Sequence, residues 1–328
     1  MERFKRVYLA PISNGLGDLI CSLPVLQSLI ASGRETYLVR RSTAQQGFDE
    51  RIDGLAGSID ENELEQISAG ASVQVINLRD HPLQTDHIWG SPEFLQKYPQ
   101  LYIDEIIRRI AADKGVDIDG LSCRPLLSKK VQALTGKIAF IPGSRGLQKC
   151  WPASHWLTLA QLLRERRGFE CRVIGEPDQS PIVKELLAAG LIWHPTPTIG
   201  EALDALSSVR AVVGVDTGAM HMAVQQLVPT VALFRYNALF ARQKAYVRSL
   251  LAPTCDRACL ALEFASVGNK IVSYKTSDIQ AKSEAEKTSE FYWETWKCQM
   301  PPAQHCMTGI SAEAVYENLL QLSSTAAT

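Results

Sequence analysis

Three short loops of the 328-residue sequence combine glycines with acidic, basic or hydroxyl side chains. The first is Asn14-Gly15-Leu16-Gly17-Asp18. Its two glycines, Gly15 and Gly17, permit a tight turn and the close approach of a ligand to the backbone. Asp18 falls at the start of a predicted helix, where the helix dipole favours an ionised carboxylate. That carboxylate could act as a general base or could only cap the helix, and this loop alone leaves both interpretations open.

The second loop combines backbone amides, a hydroxyl and two cations. Gly143 keeps backbone amides accessible, Ser144 offers a hydroxyl, and Arg145 and Lys149 supply positive charge. Together these groups could neutralise a diphosphate. The alternative is a solvent-exposed basic loop. A Walker-type phosphate loop is excluded, because the Gly-Lys-Ser/Thr ending is absent.

The third loop is Asp216-Thr217-Gly218, with His221 three residues further on. It follows a strand-like run, so the carboxylate and the hydroxyl lie at the end of a predicted strand. His221 falls in the first turns of the next predicted helix. A carboxylate, a hydroxyl, backbone amides and an imidazole around one point suit the binding of a sugar or a phosphate. The histidine could also be a buried structural residue.

The segments around these loops alternate between strand-like and helix-like patterns, which predicts parallel sheets covered by helices. The predicted strands are 7–10, 36–39, 73–78, 137–141, 171–174, 211–215 and 230–234. Helices are predicted at about 19–31, 154–167 and 311–322 from the spacing of their apolar residues. The alternation starts twice, with a polar linker at 128–136 between the two starts. We therefore expect two doubly wound units with a cleft between them, and ligands at the carboxyl ends of their strands.

Composition and charge exclude several classes of protein. With 34 basic and 35 acidic residues, the net charge of −1 gives no global field that would attract nucleic acid or a membrane surface. No apolar run reaches the ~18 residues of a membrane span, and the apolar stretch near the N-terminus is too short for a signal peptide. The eight cysteines are spread too widely for a disulfide scaffold. We expect a cytoplasmic protein with no transmembrane segment and no nucleic-acid partner.

The three loops, in this order, resemble the signature of glycosyltransferase family 9, the ADP-heptose:lipopolysaccharide heptosyltransferases. The first motif of that family ends in Gly-Asp, with a proline six residues after the aspartate, as at Gly17-Asp18 and Pro24. Its other motifs match at Pro142-Gly143-Ser144 with Lys149-Cys150-Trp151-Pro152, and at Asp216-Thr217-Gly218 with His221. The resemblance extends over about residues 7–320 and includes the closing Cys306-Met307 and helix.

The resemblance implies an α/β protein with the GT-B fold, two Rossmann-like doubly wound domains facing across a cleft. The implied domains are an acceptor-binding domain at 1–134, a nucleotide-sugar-binding domain at 135–310 with an insertion near 260–297, and a helix and tail at 311–328. Members of the family transfer a sugar with inversion of configuration. The donor here would be ADP-heptose, and the acceptor a hydroxyl of a lipopolysaccharide core or of a protein. A lipid-linked acceptor would place the enzyme at the inner face of the inner membrane.

The resemblance also implies a role for each motif residue. Asp18 would be the general base, and Ser144, Lys149 and Arg145 would stabilise the departing diphosphate. The donor would also be held by Asp216, Thr217, Gly218 and His221, with Gly15, Gly17 and Gly143 as backbone positions of the loops. No catalytic cofactor is implied. One departure is Ile12, where the family usually has a lysine or an arginine.

Four cysteines in the C-terminal part, Cys255, Cys259, Cys298 and Cys306, could bind structural zinc or iron. A branch of the family that modifies autotransporter proteins carries such an iron site. The alternative is four reduced thiols, because their spacings are loose by zinc-ribbon standards. Two other functions also stay open. One is a nucleotide-sugar epimerase of the same fold, and the other is a non-catalytic protein that binds a sugar nucleotide.

Overall fold

The computed structural model describes residues 6–67, 72–87, 92–118, 124–144, 149–176, 180–235, 239–253 and 306–325. These residues form two parallel sheets packed against helices, so the predicted α/β class is confirmed. The strands are β1 (Arg6–Ala10), β2 (Glu35–Arg40), β3 (Gly57–Asp60), β4 (Val73–Asn77), β5 (Ile138–Ile141), β6 (Cys171–Val173), β7 (Ala211–Val215), β8 (Thr230–Phe234) and β9 (Val247–Leu251). The α-helices are α1 (Leu16–Ala31), α2 (Pro82–Thr85), α3 (Pro92–Lys97), α4 (Ile103–Asp113), α5 (Ala153–Arg167), α6 (Pro181–Ala188), α7 (Ile199–Leu206), α8 (Gly218–Gln225) and α9 (Ala312–Thr325).

The first sheet has the strand order β3-β2-β1-β4, with all neighbours parallel. Its centre is β1, in which four of the five residues are buried. The loop 11–15 leaves the carboxyl end of β1 and leads directly into α1. The first motif therefore lies at the carboxyl edge of this sheet.

The second sheet has the order β6-β5-β7-β8-β9 and is also parallel throughout. Every residue of β5, β7 and β8 is buried, as expected for strands covered on both faces. Because β5 and β7 are neighbours, the second and third motifs leave the sheet side by side. Among the described residues, none of the helices is both long and apolar enough to cross a bilayer.

The seven predicted strands all occur, with ends that shift by at most one residue. Strands β3 and β9 are not among the predicted strands. All four residues of β3 are only partly buried, and four of the five in β9 are, so neither strand has the apolar run that marks the others. The predicted start of α1 at Leu19 is wrong by three residues. The helix begins at Leu16, because Gly15 is an extended N-cap and Asp18 accepts a hydrogen bond from its N–H.

The two units meet where the N-terminus of α1 approaches the N-terminus of α8. A Cβ atom on Gly17 would lie 3.1 Å from His221 Cδ2, and one on Gly218 would lie 3.0 Å from Leu16 Cβ. The boundary also contains a two-pronged ion pair, in which Arg51 Nη1 and Nη2 lie 2.9 and 3.1 Å from the Asp204 carboxylate. One apolar cluster continues across the boundary. The absence of side chains at the two glycines thus lets both helix ends come together.

We predict that Gly218→Ala destabilises the protein by about 1–3 kcal/mol, because the new methyl group would overpack the boundary. The three atoms nearest to that methyl group all belong to Leu16. Leu16→Ala should therefore relieve much of the strain, and the double variant should lose less than the sum of the two single losses. Chemical denaturation of the three variants measures this. Additive losses would show that Leu16 does not limit the space beside Gly218.

Candidate active site

The structure brings residues of all three motifs to the boundary between the units. Lys149 Nζ lies 2.7 Å from Asp216 Oδ2, and His221 Nε2 lies 3.3 Å from Asp216 Oδ1. Gly17, one residue before Asp18, is in van der Waals range of the His221 ring. The first loop of one unit and the second and third loops of the other therefore form a single site.

Asp216 is a buried carboxylate held in its ionised form. Burial by itself would raise its pKa, but Lys149 and His221 outweigh that effect and bring the pKa well below its ordinary value. The side chain of Asp216 is only 11% exposed, whereas that of Lys149 is 28% exposed. Lys149 can therefore contact a ligand while it remains paired with Asp216.

The pKa of Asp18 is shifted in the opposite direction to that of Asp216. Burial raises the pKa of its carboxyl to about 6, although the Gly15 N–H and the charges of Lys149 and Arg79 act in the other direction. Its Oδ2 accepts a hydrogen bond from Gly15 N at 2.9 Å. The carboxylate thus caps α1 and is also poised to bind a proton near neutral pH.

The remaining predicted residues divide into described and undescribed positions. Ser144 lies in the site, where its hydroxyl donates to the backbone oxygen of Asp216 at 3.3 Å. Thr217 is the extended N-cap residue of α8, and its hydroxyl makes no capping hydrogen bond. Gly143 faces Ser180, whose Oγ would lie 2.7 Å from a Cβ at that glycine. Arg145 lies outside the described residues.

Two arginines that were not predicted from the sequence lie at the carboxyl edge of the first sheet. Arg41 is buried and contacts Glu61 and Asn77, and burial and the charge of Arg79 lower its pKa to about 10. Arg79 donates to the side chain of Asn14 at 2.5 Å. Arg41 follows β2 directly and Arg79 lies two residues after β4, so the rule that ligands gather at carboxyl ends would have found them.

Arg242, on the stretch between β8 and β9, is a third arginine that was not predicted from the sequence. Its side chain is fully buried and contacts Asp104 of α4 and the ring of His221. Nothing in the local sequence marks it, because its partners lie in distant parts of the chain.

Three of the four cysteines of the predicted metal site, Cys255, Cys259 and Cys298, lie outside the described residues. So does the predicted insertion at 260–297. Cys306 is described and is partly buried. Within the described part of the chain, no group of three or more potential ligands could hold a metal ion. The cysteine site therefore stays a prediction.

Comparisons with known proteins match part of the chain to one family. The model of glycosyltransferase family 9 (heptosyltransferase) matches residues 114–246, less than half of the chain. This segment is therefore similar to glycosyltransferase family 9. The lipooligosaccharide heptosyltransferase 2 of Haemophilus ducreyi is 32% identical over 128 residues, which are 34% of this chain and 36% of that protein. The lipopolysaccharide heptosyltransferase 1 of Pseudomonas aeruginosa is 35% identical over 135 residues, 37% of each chain. The matched region thus spans just over a third of each relative.

Solved structures of family 9 proteins match nearly the whole chain in fold. The Veillonella parvula glycosyl transferase family 9 structure covers 99% of both chains with a TM-score of 0.66 at 17% identity. The E. coli heptosyltransferase WaaC with ADP-2-deoxy-2-fluoro heptose covers 96% of this chain and 99% of its own, with a TM-score of 0.58 at 14% identity. The iron-containing dodecameric glycosyltransferase TibC of E. coli covers 99% of this chain and 78% of its own, with a TM-score of 0.60 at 11% identity. The predicted GT-B fold is confirmed.

We predict that Asp18→Asn stabilises the protein at pH 8 but not at pH 4. The pKa of Asp18 rises from 3.8 to about 6 on folding, so the folded state resists ionisation and loses stability as the pH rises through this interval. Removing the charge should raise the free energy of unfolding by up to about 3 kcal/mol at pH 8.

Denaturation of wild type and variant at both pH values tests this expectation. Asp53→Asn is the matched control, because Asp53 is exposed, and it should change stability by the same small amount at both pH values. A destabilised Asp18→Asn protein at pH 8 would show that the cap, and not the desolvated charge, dominates.

Proposed function

We propose that this protein is an inverting glycosyltransferase that moves heptose from an ADP-linked donor to an acceptor hydroxyl. The observation that carries the proposal is the contrast between two carboxylates in one site. Asp18 has a pKa raised to about 6, and Asp216 is held ionised beside Lys149. The first can take a proton, while the second organises cationic and polar groups around a phosphate. The names of the family relatives support heptose as the sugar.

In the proposed reaction, Asp18 removes the proton of the acceptor hydroxyl. The hydroxyl oxygen attacks the anomeric carbon as the bond from that carbon to the diphosphate oxygen breaks, which inverts the configuration. The proton ends on Asp18, and the electron pair of the broken bond leaves with the nucleoside diphosphate. A base with a pKa of about 6 is largely ionised at neutral pH and still accepts a proton in the transition state.

Negative charge grows on the leaving diphosphate, and the second unit supplies groups to stabilise it. Lys149 is the described cation of the site with an exposed fraction large enough for ligand contact. Ser144 lies beside it, and the N-terminus of α8 adds backbone amides at Gly218. Arg145 is proposed to add a second positive charge, while Thr217 and His221 hold the donor with Asp216. In this proposal, these groups stabilise the negative charge of the leaving diphosphate, and no catalytic metal is required.

The acceptor is proposed to bind along the carboxyl edge of the first sheet. Ile12, at the position where the family usually has a cation, is buried and contributes no charge. Arg79 lies on the same edge and acts electrostatically on Asp18. The acceptor would be a lipopolysaccharide-core or protein hydroxyl. Residues 1–134 would then bind the acceptor and residues 135–310 the donor, in the cytoplasm.

We predict that Asp18→Asn lowers kcat by a factor of about 10²–10⁴, the usual contribution of a positioned general base. Affinity for the nucleotide should stay nearly unchanged. In the wild type, kcat/KM should fall as the pH drops below about 6, because Asp18 becomes protonated. Steady-state transfer assays over a pH series, with Asp53→Asn as the control, measure both effects. Retained turnover in Asp18→Asn would disprove the base assignment, and transfer absent from the wild type as well would favour the non-catalytic alternative.

We predict that ADP raises the melting temperature of the protein and that Lys149→Met removes most of the effect. A ligand at 100 times its Kd adds about 2.7 kcal/mol, which corresponds to roughly 5–10 °C for a protein of this size. UDP and GDP serve as comparisons in the same thermal unfolding experiment. A shift with UDP or GDP instead of ADP would exclude an ADP-linked donor, and an undiminished shift in Lys149→Met would exclude that lysine from the phosphate site.

A further inference from the structure

The imidazole of His221 is buried with contacts at both ring nitrogens. Nε2 lies 3.3 Å from Asp216 Oδ1, and Nδ1 lies 3.4 Å from Arg242 Nη1. The residue is 1% exposed. Its protonation state is therefore set by these protein groups and not by bulk water.

The guanidinium of Arg242 can only donate hydrogen bonds, and it stays charged in proteins. A ring nitrogen that faces it must offer a lone pair. Nδ1 of His221 is therefore unprotonated, and the proton of the neutral ring lies on Nε2, where it is donated to Asp216. An imidazolium would place an N–H group against the N–H groups of Arg242.

Arg242 is itself held from the other unit of the protein. Its Nε and Nη2 atoms each lie 3.1 Å from Asp104 Oδ1, on α4. The second oxygen of Asp104 accepts the backbone N–H of Gln243 at 2.9 Å. Ser249 Oγ accepts the backbone N–H of Arg242 at 3.1 Å and donates to its backbone oxygen at 2.9 Å. The arginine thus has a fixed position from which to contact the histidine.

Other groups near the ring agree with this assignment. Cys21 of α1 places its Sγ 3.9 Å from Nδ1 and 3.8 Å from Arg242 Nη1. Burial lowers the pKa of His221 most; Asp216 acts in the opposite direction, and Arg242 and Lys149 lower it further. Lys244 adds a positive charge 3.4 Å from Asp104.

We propose that Arg242 is a positioning residue that keeps His221 neutral, with its proton on Nε2. The imidazole then binds Oδ1 of Asp216 and leaves Oδ2 for Lys149. Asp104 holds the arginine in place, so the donor-binding face of one unit is completed by a carboxylate of the other. The consequence for the donor rests on the proposed function, whereas the state of the ring does not.

The state of the ring is measured on the ligand-free protein by long-range ¹H–¹⁵N correlation spectra with ¹⁵N-labelled histidine. The sequence has six histidines, and the His221→Gln variant identifies the signals of His221. We expect Nδ1 to stay unprotonated in the wild type between about pH 8 and pH 6, the interval in which ordinary histidines titrate. In Arg242→Met, Nδ1 should take up a proton within this interval, since the cation that faces Nδ1 is then gone while Asp216 still favours the protonated ring.

Two further variants separate this role from a structural one. Asp104→Asn keeps the guanidinium of Arg242 but weakens the ion pair that holds it, so His221 Nδ1 should take up a proton to a smaller extent than in Arg242→Met. If Arg242→Met does not fold, Asp104→Asn provides the test. Arg248→Met is the matched control, because Arg248 is a partly exposed arginine of the neighbouring β9. It should leave the spectrum of His221 unchanged.

Kinetics give a second readout that depends on the proposed function. Arg242→Met should raise the KM for an ADP-linked sugar about tenfold, with a smaller effect on kcat, because the donor site loosens while Asp18 is unaffected. A wild-type Nδ1 that carries a proton, or an Arg242→Met spectrum identical to that of the wild type, would overturn the proposal. If the spectra follow the expectation but no transfer occurs, the proposed function fails and the positioning of His221 stands.

Discussion

The buried carboxylate of Asp216 is the constraint on which the rest of the site depends. An ionised group in this position is tolerated only if charges and hydrogen-bond donors surround it. Lys149 comes from the loop after β5, and His221 from the helix that follows Asp216 itself. The side-by-side order of β5 and β7 in the sheet is what brings these partners together. The parallel topology thus determines the electrostatics of the site.

Asp18 is a second carboxylate at the same boundary, and its pKa is shifted in the opposite direction to that of Asp216. It lies in the first turn of α1 and accepts a hydrogen bond from the backbone N–H of Gly15. Among the described residues, no cationic side chain forms an ion pair with it as Lys149 does with Asp216, so burial dominates and its pKa rises. Two side chains of the same chemical type are thereby adapted to different tasks, the transfer of a proton and the organisation of cations.

The sequence predicted the strands that have continuous apolar runs and the loops that follow them. Because parallel strands align their carboxyl ends, the convergence of Lys149 and Asp216 was predictable from strand order alone. The raised pKa of Asp18 was not, since it arises from burial at the boundary between the units. Arg242 was not predictable either, because it meets Asp104 across 138 residues of chain and no local pattern encodes that contact. The short polar strand β3 was missed because backbone pairing with β2, and not an apolar run, defines it.

The two glycines at the boundary have a further electrostatic consequence. Gly17 and Gly218 allow the first turns of α1 and α8 to come within van der Waals distance. Each helix carries partial positive charge at this end, so the two dipoles repel one another. An anion bound beside this contact, within reach of both helix ends, would be attracted to both helices and would offset that repulsion. Binding of the anion and contact between the two units are therefore thermodynamically linked. The free energy by which the bound anion stabilises the contact equals the free energy by which the contact strengthens binding of the anion.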